Sequence, residues 1–283
     1  MINFLAKLDP NFIEIGNFTI KWYAVCILIG VVICYATVVY LFKKAGYKQD
    51  VVDGALLVCL PAGILGARLW WCISEWDSLN HWYEIFFIWK GGLAIQGGVV
   101  LGFLVGVWYF RKFHKNVPVL FAVDAIVPNI LIAQVAGRWG NFFNQEVYGA
   151  CVDPEKMKWL PTFIREQMMG NSSIHCPTTQ MAQPLFLYES MCNFCGWILL
   201  TFVLPKFWNK GRVKGDIGCL YFIWYGIVRV IMEPLRHPEF IMQIGNIRTS
   251  VMTSILFIIG GVLCMVALRV IPLVIAKIKA KKA

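Results

Sequence analysis

Gly137-Arg138-Trp139-Gly140-Asn141-Phe142-Phe143-Asn144-Gln145-Glu146-Val147-Tyr148-Gly149 decides how this chain is read. The stretch follows directly on an apolar run, Phe121–Ala136. It sets an arginine, two asparagines, a glutamine and a glutamate among four aromatics and three glycines. Next to a membrane-length segment an ionisable group is costly unless it faces a cavity or a partner. The apolar run therefore points to a membrane helix, and the polar stretch to a functional site at its end.

The rest of the chain has the same character. Of 283 residues 59% are hydrophobic and only 15% charged, and the mean hydropathy is +0.65. An ordinary soluble domain is about 45–50% apolar and about 25% charged. One soluble core cannot hide so much apolar side chain. The net charge is +10, with 26 Lys and Arg against 16 Asp and Glu. These basic residues fall in short loops between apolar runs, which is the positive-inside bias of a membrane protein and not a nucleic-acid surface.

Eight of the ten cysteines lie in or at the ends of apolar runs, where they read as small packed residues. Cys192 and Cys195 have C-x-x-C spacing, but no second pair follows at metal spacing, so no metal site is expected. Cys151 and Cys176 share one polar loop and can pair if that loop faces an oxidising space. Met1–Ile20 lacks the basic, apolar and small-residue pattern of a cleaved secretory signal, and none is expected there.

A spanning helix needs about 20 mostly apolar residues. Seven runs qualify: Trp22–Phe42, Val51–Ile73, Leu93–Phe110, Val119–Val135, Pro184–Leu204, Ile217–Met232 and Ser250–Ile271. Basic clusters follow the first, third, fifth and last runs, at Lys43–Lys48, Arg111–Lys115, Lys206–Lys214 and Lys277–Lys282. The alternate loops are acidic or balanced. The expectation is an all-α polytopic membrane bundle of seven transmembrane helices, with the N-terminus outside and the C-terminus cytoplasmic. Residues 1–283 read as one integral-membrane domain, with 136–183 an extracytoplasmic loop that is either a cap over the site or a plain surface loop.

That topology gathers Tyr23, Arg68, Gly91–Gly98, Gly137–Gly149, Tyr188 with Glu189, and Arg229–Arg236 near the outer face. Lys90-Gly91-Gly92-Leu93-Ala94-Ile95-Gln96-Gly97-Gly98 has two readings. Its glycines can let helices approach closely, or let a polar ligand approach the backbone, with Gln96 in the same space. In Gly137–Gly149, Arg138 offers a planar fork for phosphate or carboxylate. Asn141 and Asn144 are neutral donors and acceptors, and Glu146 can pair with Arg138 or take a proton. Tyr225, Arg229, Glu233 and Arg236 recur at spacings of four, four and three, so they share a helix face. Arg138 and Arg229 come from distant parts of the chain to one depth. Two like charges together call for an anion, and the abundant anion of an outer leaflet is a lipid phosphate.

On these residues the chain closely resembles the bacterial prolipoprotein diacylglyceryl transferases. The resemblance is carried by GRWGNFFNQEVYG (137–149), KWYAV (21–25), GARLWW (66–71), WKGGLAIQGG (89–98), Asp124 with Pro128, QPLFLYES (183–190) and YGIVRVIMEPLR (225–236), in family order. It implies transfer of the diacylglyceryl group of phosphatidylglycerol to the thiol of a lipobox cysteine in a prolipoprotein signal peptide. A thioether forms and glycerol 1-phosphate leaves. It implies no metal, no nucleotide cofactor and no nucleic-acid partner, and a multi-pass protein of the bacterial plasma membrane with its site towards the outer leaflet. Arg138 and Arg229 match the family's essential arginines, Asn141 and Gly149 its signature positions, and Tyr23 and Tyr225 its functional tyrosines. Arg68, Asn144 and Glu233 are expected to line the same phosphatidylglycerol site.

One position departs from the family. Members often carry His where this chain has Gln96, and that His has been assigned as the base for the thiol. A glutamine takes no proton at neutral pH. The expected catalytic set is therefore Arg138 and Arg229 on the phosphate, Glu146 or Tyr225 (or the departing phosphate itself) for the proton, and Gln96 for positioning. Two rivals belong to other classes: an outward-facing anion transporter, for which broken helices speak, and a lipid-binding scaffold without chemistry. No internal repeat supports the transporter.

Overall fold

A computed structural model describes residues 8–16, 18–79, 81–88, 91–208, 210–241, 243–244 and 247–282. Trp89 and Lys90 of the glycine motif, and Met1–Lys7 of the N-terminal stretch, lie outside the described residues. The chain forms two compact units. One comprises Met1–Thr37 with Val123–Ala283, the other Val38–Ala122.

Helices dominate both. They are α1 (Trp22–Lys44), α2 (Asp50–Ser74), α3 (Ile95–Phe113), α4 (Val119–Ile126), α5 (Ile130–Asn144), α6 (Thr162–Gln167), α7 (Leu185–Ile198), α8 (Leu204–Phe207), α9 (Asp216–Met232) and α10 (Thr249–Lys282). Among the described residues six helical stretches are long and apolar enough to cross a membrane: Trp22–Lys44, Asp50–Ser74, Val119–Asn144, Leu185–Phe207, Asp216–Leu235 and Thr249–Ile275. Large apolar residues such as Leu57, Leu65, Leu256 and Leu263 stay exposed along them. Water would not tolerate so much continuous apolar surface. The third expected run does form a helix, α3, of 19 residues. Gln96, Arg111 and Lys112 inside it lower its apolarity, and it is not one of the six.

Two helices run longer than the sequence divides them. Pro128 lacks an N–H and turns the chain through a single 3-10 turn, Val127–Asn129, between α4 and α5. The helix then continues to Asn144, so the first eight residues of Gly137–Gly149 are helical and the non-helical segment begins at Gln145, not at residue 136. Likewise a π-helical turn at Leu199–Val203 joins α7 to α8.

In the first unit the acids of the bundle have structural work. Asp124 accepts from the backbone N–H groups of Gly215 and Gly218, at 2.8 and 2.9 Å, and so satisfies the open start of α9. The fully buried Asp216 takes both terminal nitrogens of Arg269, each at 2.8 Å, and ties α10 to α9. Between α5 and α7 the chain folds a small compact segment. The pair β1 (Cys151–Val152) and β2 (Met181–Ala182) closes it. Its own core is built from Tyr148, Leu160, Ile164, Met168 and Ile174. The segment after Gln145 is thus folded around a core rather than a plain loop. Cys151 and Cys176 are disulfide-bonded within it.

The second unit is glycine-packed. Gly66 of α2 and Gly97 of α3 each press against the other's carbonyl oxygen, leaving no space for a Cβ. That close approach is the helix-packing reading of the glycine motif. Gly91 and Gly92 before it have φ of 87° and 71°, where other residues are strained.

Candidate active site

Three helices of the first unit bring their polar faces together. α5 contributes Arg138 and Asn141, α7 contributes Glu189, and α9 contributes Arg229, with Glu233 and Arg236 in the short turn that Pro234 forces on its end. At their centre is Glu189, 2% exposed. Arg138 Nε pairs with one of its oxygens. Arg229 Nη1 and Arg236 Nη2 approach the other at 3.4 and 3.6 Å. Glu233, 1% exposed, lies 3.6 Å from both Arg229 and Arg236 and accepts from Ser250 Oγ at 2.6 Å.

The ion-paired set is therefore three guanidiniums on two carboxylates, a formal excess of one positive charge. Four of the five contacts are looser than a charged hydrogen bond, which is typically about 2.7–2.9 Å. Arg236 Nε is buried and makes no hydrogen bond, with Glu233 Oε2 3.6 Å away. Burial, and then the neighbouring Arg229 charge, hold Arg236 below the ordinary guanidinium pKa. A cation held under that stress is relieved by an anion.

Beside this set Arg138 Nη1 donates to Asn141 Oδ1 at 3.2 Å, and Asn141 Nδ2 donates on to Glu146 at 3.0 Å. Asn144 Nδ2 reaches the same Glu146 oxygen at 3.3 Å. Arg138 thus pairs with Glu189, and its link to Glu146 runs through an asparagine. Glu146 sits between two residues with left-handed backbones, Gln145 at φ 53° and Val147 at φ 55°. For a β-branched residue such as Val147 this is a rare conformation, and such strain gathers at functional sites.

Two glycines let these parts meet. A Cβ on Gly140 would lie 2.6 Å from the Tyr23 ring, so this glycine seats Tyr23 of α1 against α5. A Cβ on Gly149 would lie 2.8 Å from Gln183 Cβ and 2.9 Å from Leu235 O. Gly149 bridges to Arg236, and its N–H donates to Gln183 O at 3.0 Å. One glycine thus joins the signature stretch, the entry to α7 and the arginine-bearing turn. Tyr225 lies one turn before Arg229, stacked on Tyr221 with ring centres 6.1 Å apart.

The structure therefore gathers Arg138, Asn141, Asn144, Glu146, Gly149, Arg229 and Glu233, with Tyr23 and Tyr225 alongside. Arg68 and Gln96 belong to the other unit. There Arg68 donates to the carbonyls of Glu84, Ile85, Gly91 and Gly92 at 2.5 to 3.0 Å and stacks over Trp71. Its guanidinium is taken up by backbone, which makes it a clasp on Glu84, Ile85, Gly91 and Gly92. Gln96 is exposed in its own unit. Sequence reading gathered Glu189 and Arg236 near the same face but named neither as a catalytic or substrate-binding residue. The signal for Glu189 was present, an acid inside the apolar run Pro184–Leu204.

The family model for prolipoprotein diacylglyceryl transferase matches residues 10–267. A Streptococcus pneumoniae protein named phosphatidylglycerol–prolipoprotein diacylglyceryl transferase is 40% identical over 261 residues, 92% of this chain and 94% of the relative. Proteins of the same name from Streptococcus suis and Streptococcus equi are 38% and 37% identical, over 93% and 89% of this chain and 93% and 92% of their own length. The chain belongs to the prolipoprotein diacylglyceryl transferase family.

Proposed function

We propose that the protein transfers the diacylglyceryl group of phosphatidylglycerol to the thiol of a lipobox cysteine in a prolipoprotein; the names of its relatives state the lipid donor, the prolipoprotein and the group transferred. The observation that carries this reading is the set of three arginines on two buried glutamates, one positive charge in excess, at the ends of apolar helices. A phosphodiester supplies the one negative charge. It replaces the stretched contacts to Glu189 and Glu233 with shorter, charge-assisted ones.

In the reaction the cysteine sulfur attacks the glycerol carbon that bears the phosphate. A C–S bond forms and the C–O bond to phosphate breaks, its electrons staying on the leaving oxygen. Arg138 and Arg229 stabilise the charge that grows there. A thiol beside arginines ionises more readily than its usual value near 8.5 allows. Its proton passes to Glu146, to Tyr225 or to the departing glycerol 1-phosphate. Glu189 holds the arginine forks in place, and Gln96 positions substrate. No cofactor takes part. The bundle crosses the plasma membrane seven times, α3 included, with the N-terminus outside, the C-terminus cytoplasmic and the arginines facing the outer leaflet.

The test is a lipobox peptide incubated with the purified protein and either phosphatidylglycerol or phosphatidylethanolamine, read by mass. A diacylglyceryl mass gain with phosphatidylglycerol is expected. No gain with an intact, folded protein overturns the reading and favours a scaffold.

A further inference from the structure

Directly behind the arginines the fold gathers three side chains that no spacing rule connects. Cys151 is in β1, Cys176 is in the loop before β2, and His237 follows Arg236. Their ligand atoms all lie within 4.8 Å of one another. The two cysteines are bonded, with Cα atoms 5.7 Å apart. Glu239 lies beside the same imidazole, 3.8 Å from His237 Nδ1.

Hydrogen bonds that do not involve sulfur hold these backbones together. His237 N donates to Tyr148 O at 3.1 Å, Ala150 N to Leu235 O at 2.9 Å and Gln183 N to Ala150 O at 3.0 Å. His175 N donates to Tyr148 Oη at 2.8 Å. Opening the sulfur–sulfur bond therefore leaves the three ligands gathered.

We propose that Cys151, Cys176 and His237 form a convertible clasp: a disulfide when oxidised, and a two-thiolate, one-imidazole site for Zn²⁺ when reduced. Two cysteines and a histidine are a zinc donor set, and the fourth position falls to water. A hydrogen bond from the surrounding protein commonly orients a zinc-bound histidine, and here His237 Nδ1 accepts from Glu239 N at 3.4 Å, while the Glu239 carboxylate is bonded to His175 Nδ1 at 2.6 Å. The balance is simple. An external dithiol gives two electrons and two protons to the Cys151–Cys176 bond and itself becomes a disulfide. Zn²⁺ then displaces both thiol protons as it binds. Either form fixes the backbone on which Arg236 and Gly149 pair.

The experiment uses the full-length protein in detergent, reduced with a dithiol, freed of it without oxygen and titrated with Co²⁺ as the spectroscopic probe. One equivalent should give the thiolate-to-cobalt and tetrahedral cobalt bands, and Zn²⁺ should abolish them. The bands should be absent from the oxidised protein and from the Cys151→Ser, Cys176→Ser double variant, which keeps the eight other cysteines. His237→Ala should bind at least tenfold more weakly. Equal bands in the double variant, or none in the reduced wild type, would overturn the proposal. A second measurement needs no variant: Zn²⁺ should raise the unfolding midpoint of the reduced protein and leave the oxidised one unchanged. Equal midpoints for reduced protein with and without Zn²⁺ would also overturn it.

Discussion

Arg68 and the arginines at 138, 229 and 236 look alike in sequence, each at the end of an apolar run. The fold treats them differently. Arg68 ends in a ring of four backbone carbonyls, with short contacts and a stacked tryptophan. The other three share two buried carboxylates at contacts mostly of 3.4 to 3.6 Å. Carbonyls satisfy a guanidinium without cancelling its charge, and tight geometry leaves nothing for a ligand. Loose pairing with fewer carboxylates than guanidiniums leaves both charge and donors available. A buried arginine is thus an anchor or a ligand according to what meets it.

The largest effects should come from breaking the loose set. Arg138→Ala and Arg229→Ala should each cut transfer by about a thousandfold, the scale of losing a charge-stabilising donor, while unfolding midpoints in detergent move little. Glu189→Gln should follow, with transfer down about tenfold to a hundredfold and the loss mainly in kcat, because the neutral amide no longer orients three guanidiniums. A steady-state kcat and KM comparison checks it. Arg68→Ala should behave in the opposite way. It removes a buried side chain and strips four part-buried carbonyls of their donor, and should lower stability by about 3 kcal/mol, seen as a lower unfolding midpoint. Any activity lost should return on cooling.

A glycine pair sharpens the same contrast at smaller scale. Gly149→Ala forces a methyl against Gln183 and Leu235 and should impair transfer through Arg236. Gly137→Ala, on the same stretch, meets nothing within 4 Å and should change stability by under about 0.5 kcal/mol. Equal effects at the two glycines would contradict the placement of Gly149.

Much of this was legible in the sequence, and the misses have physical causes. Apolar length marked the six helices that are long and apolar enough to span, because lipid demands about 20 apolar residues whatever the tertiary fold, but it also counted α3, which is not among them. Glycine spacing marked the close approach of α2 and α3. Helical periodicity put Arg229, Glu233 and Arg236 on one face. What the sequence could not carry was pairing between distant segments. Glu146 is the near neighbour of Arg138 in sequence, yet Glu189, fifty-one positions on by residue number, takes the ion pair. Arg68 read as a ligand because its carbonyl partners lie in the backbone, where side-chain patterns are silent. Cys151, Cys176 and His237 are spread along the chain and meet only in the fold.

The central claim is that the arginine set binds the phosphate of the lipid donor. Its most direct test is the rate of diacylglyceryl transfer from phosphatidylglycerol to a lipobox peptide by Arg229→Ala protein, with unfolding followed in the same preparation. The account predicts a folded protein with transfer reduced about a thousandfold. A folded Arg229→Ala protein that turns over at close to the wild-type rate would contradict it.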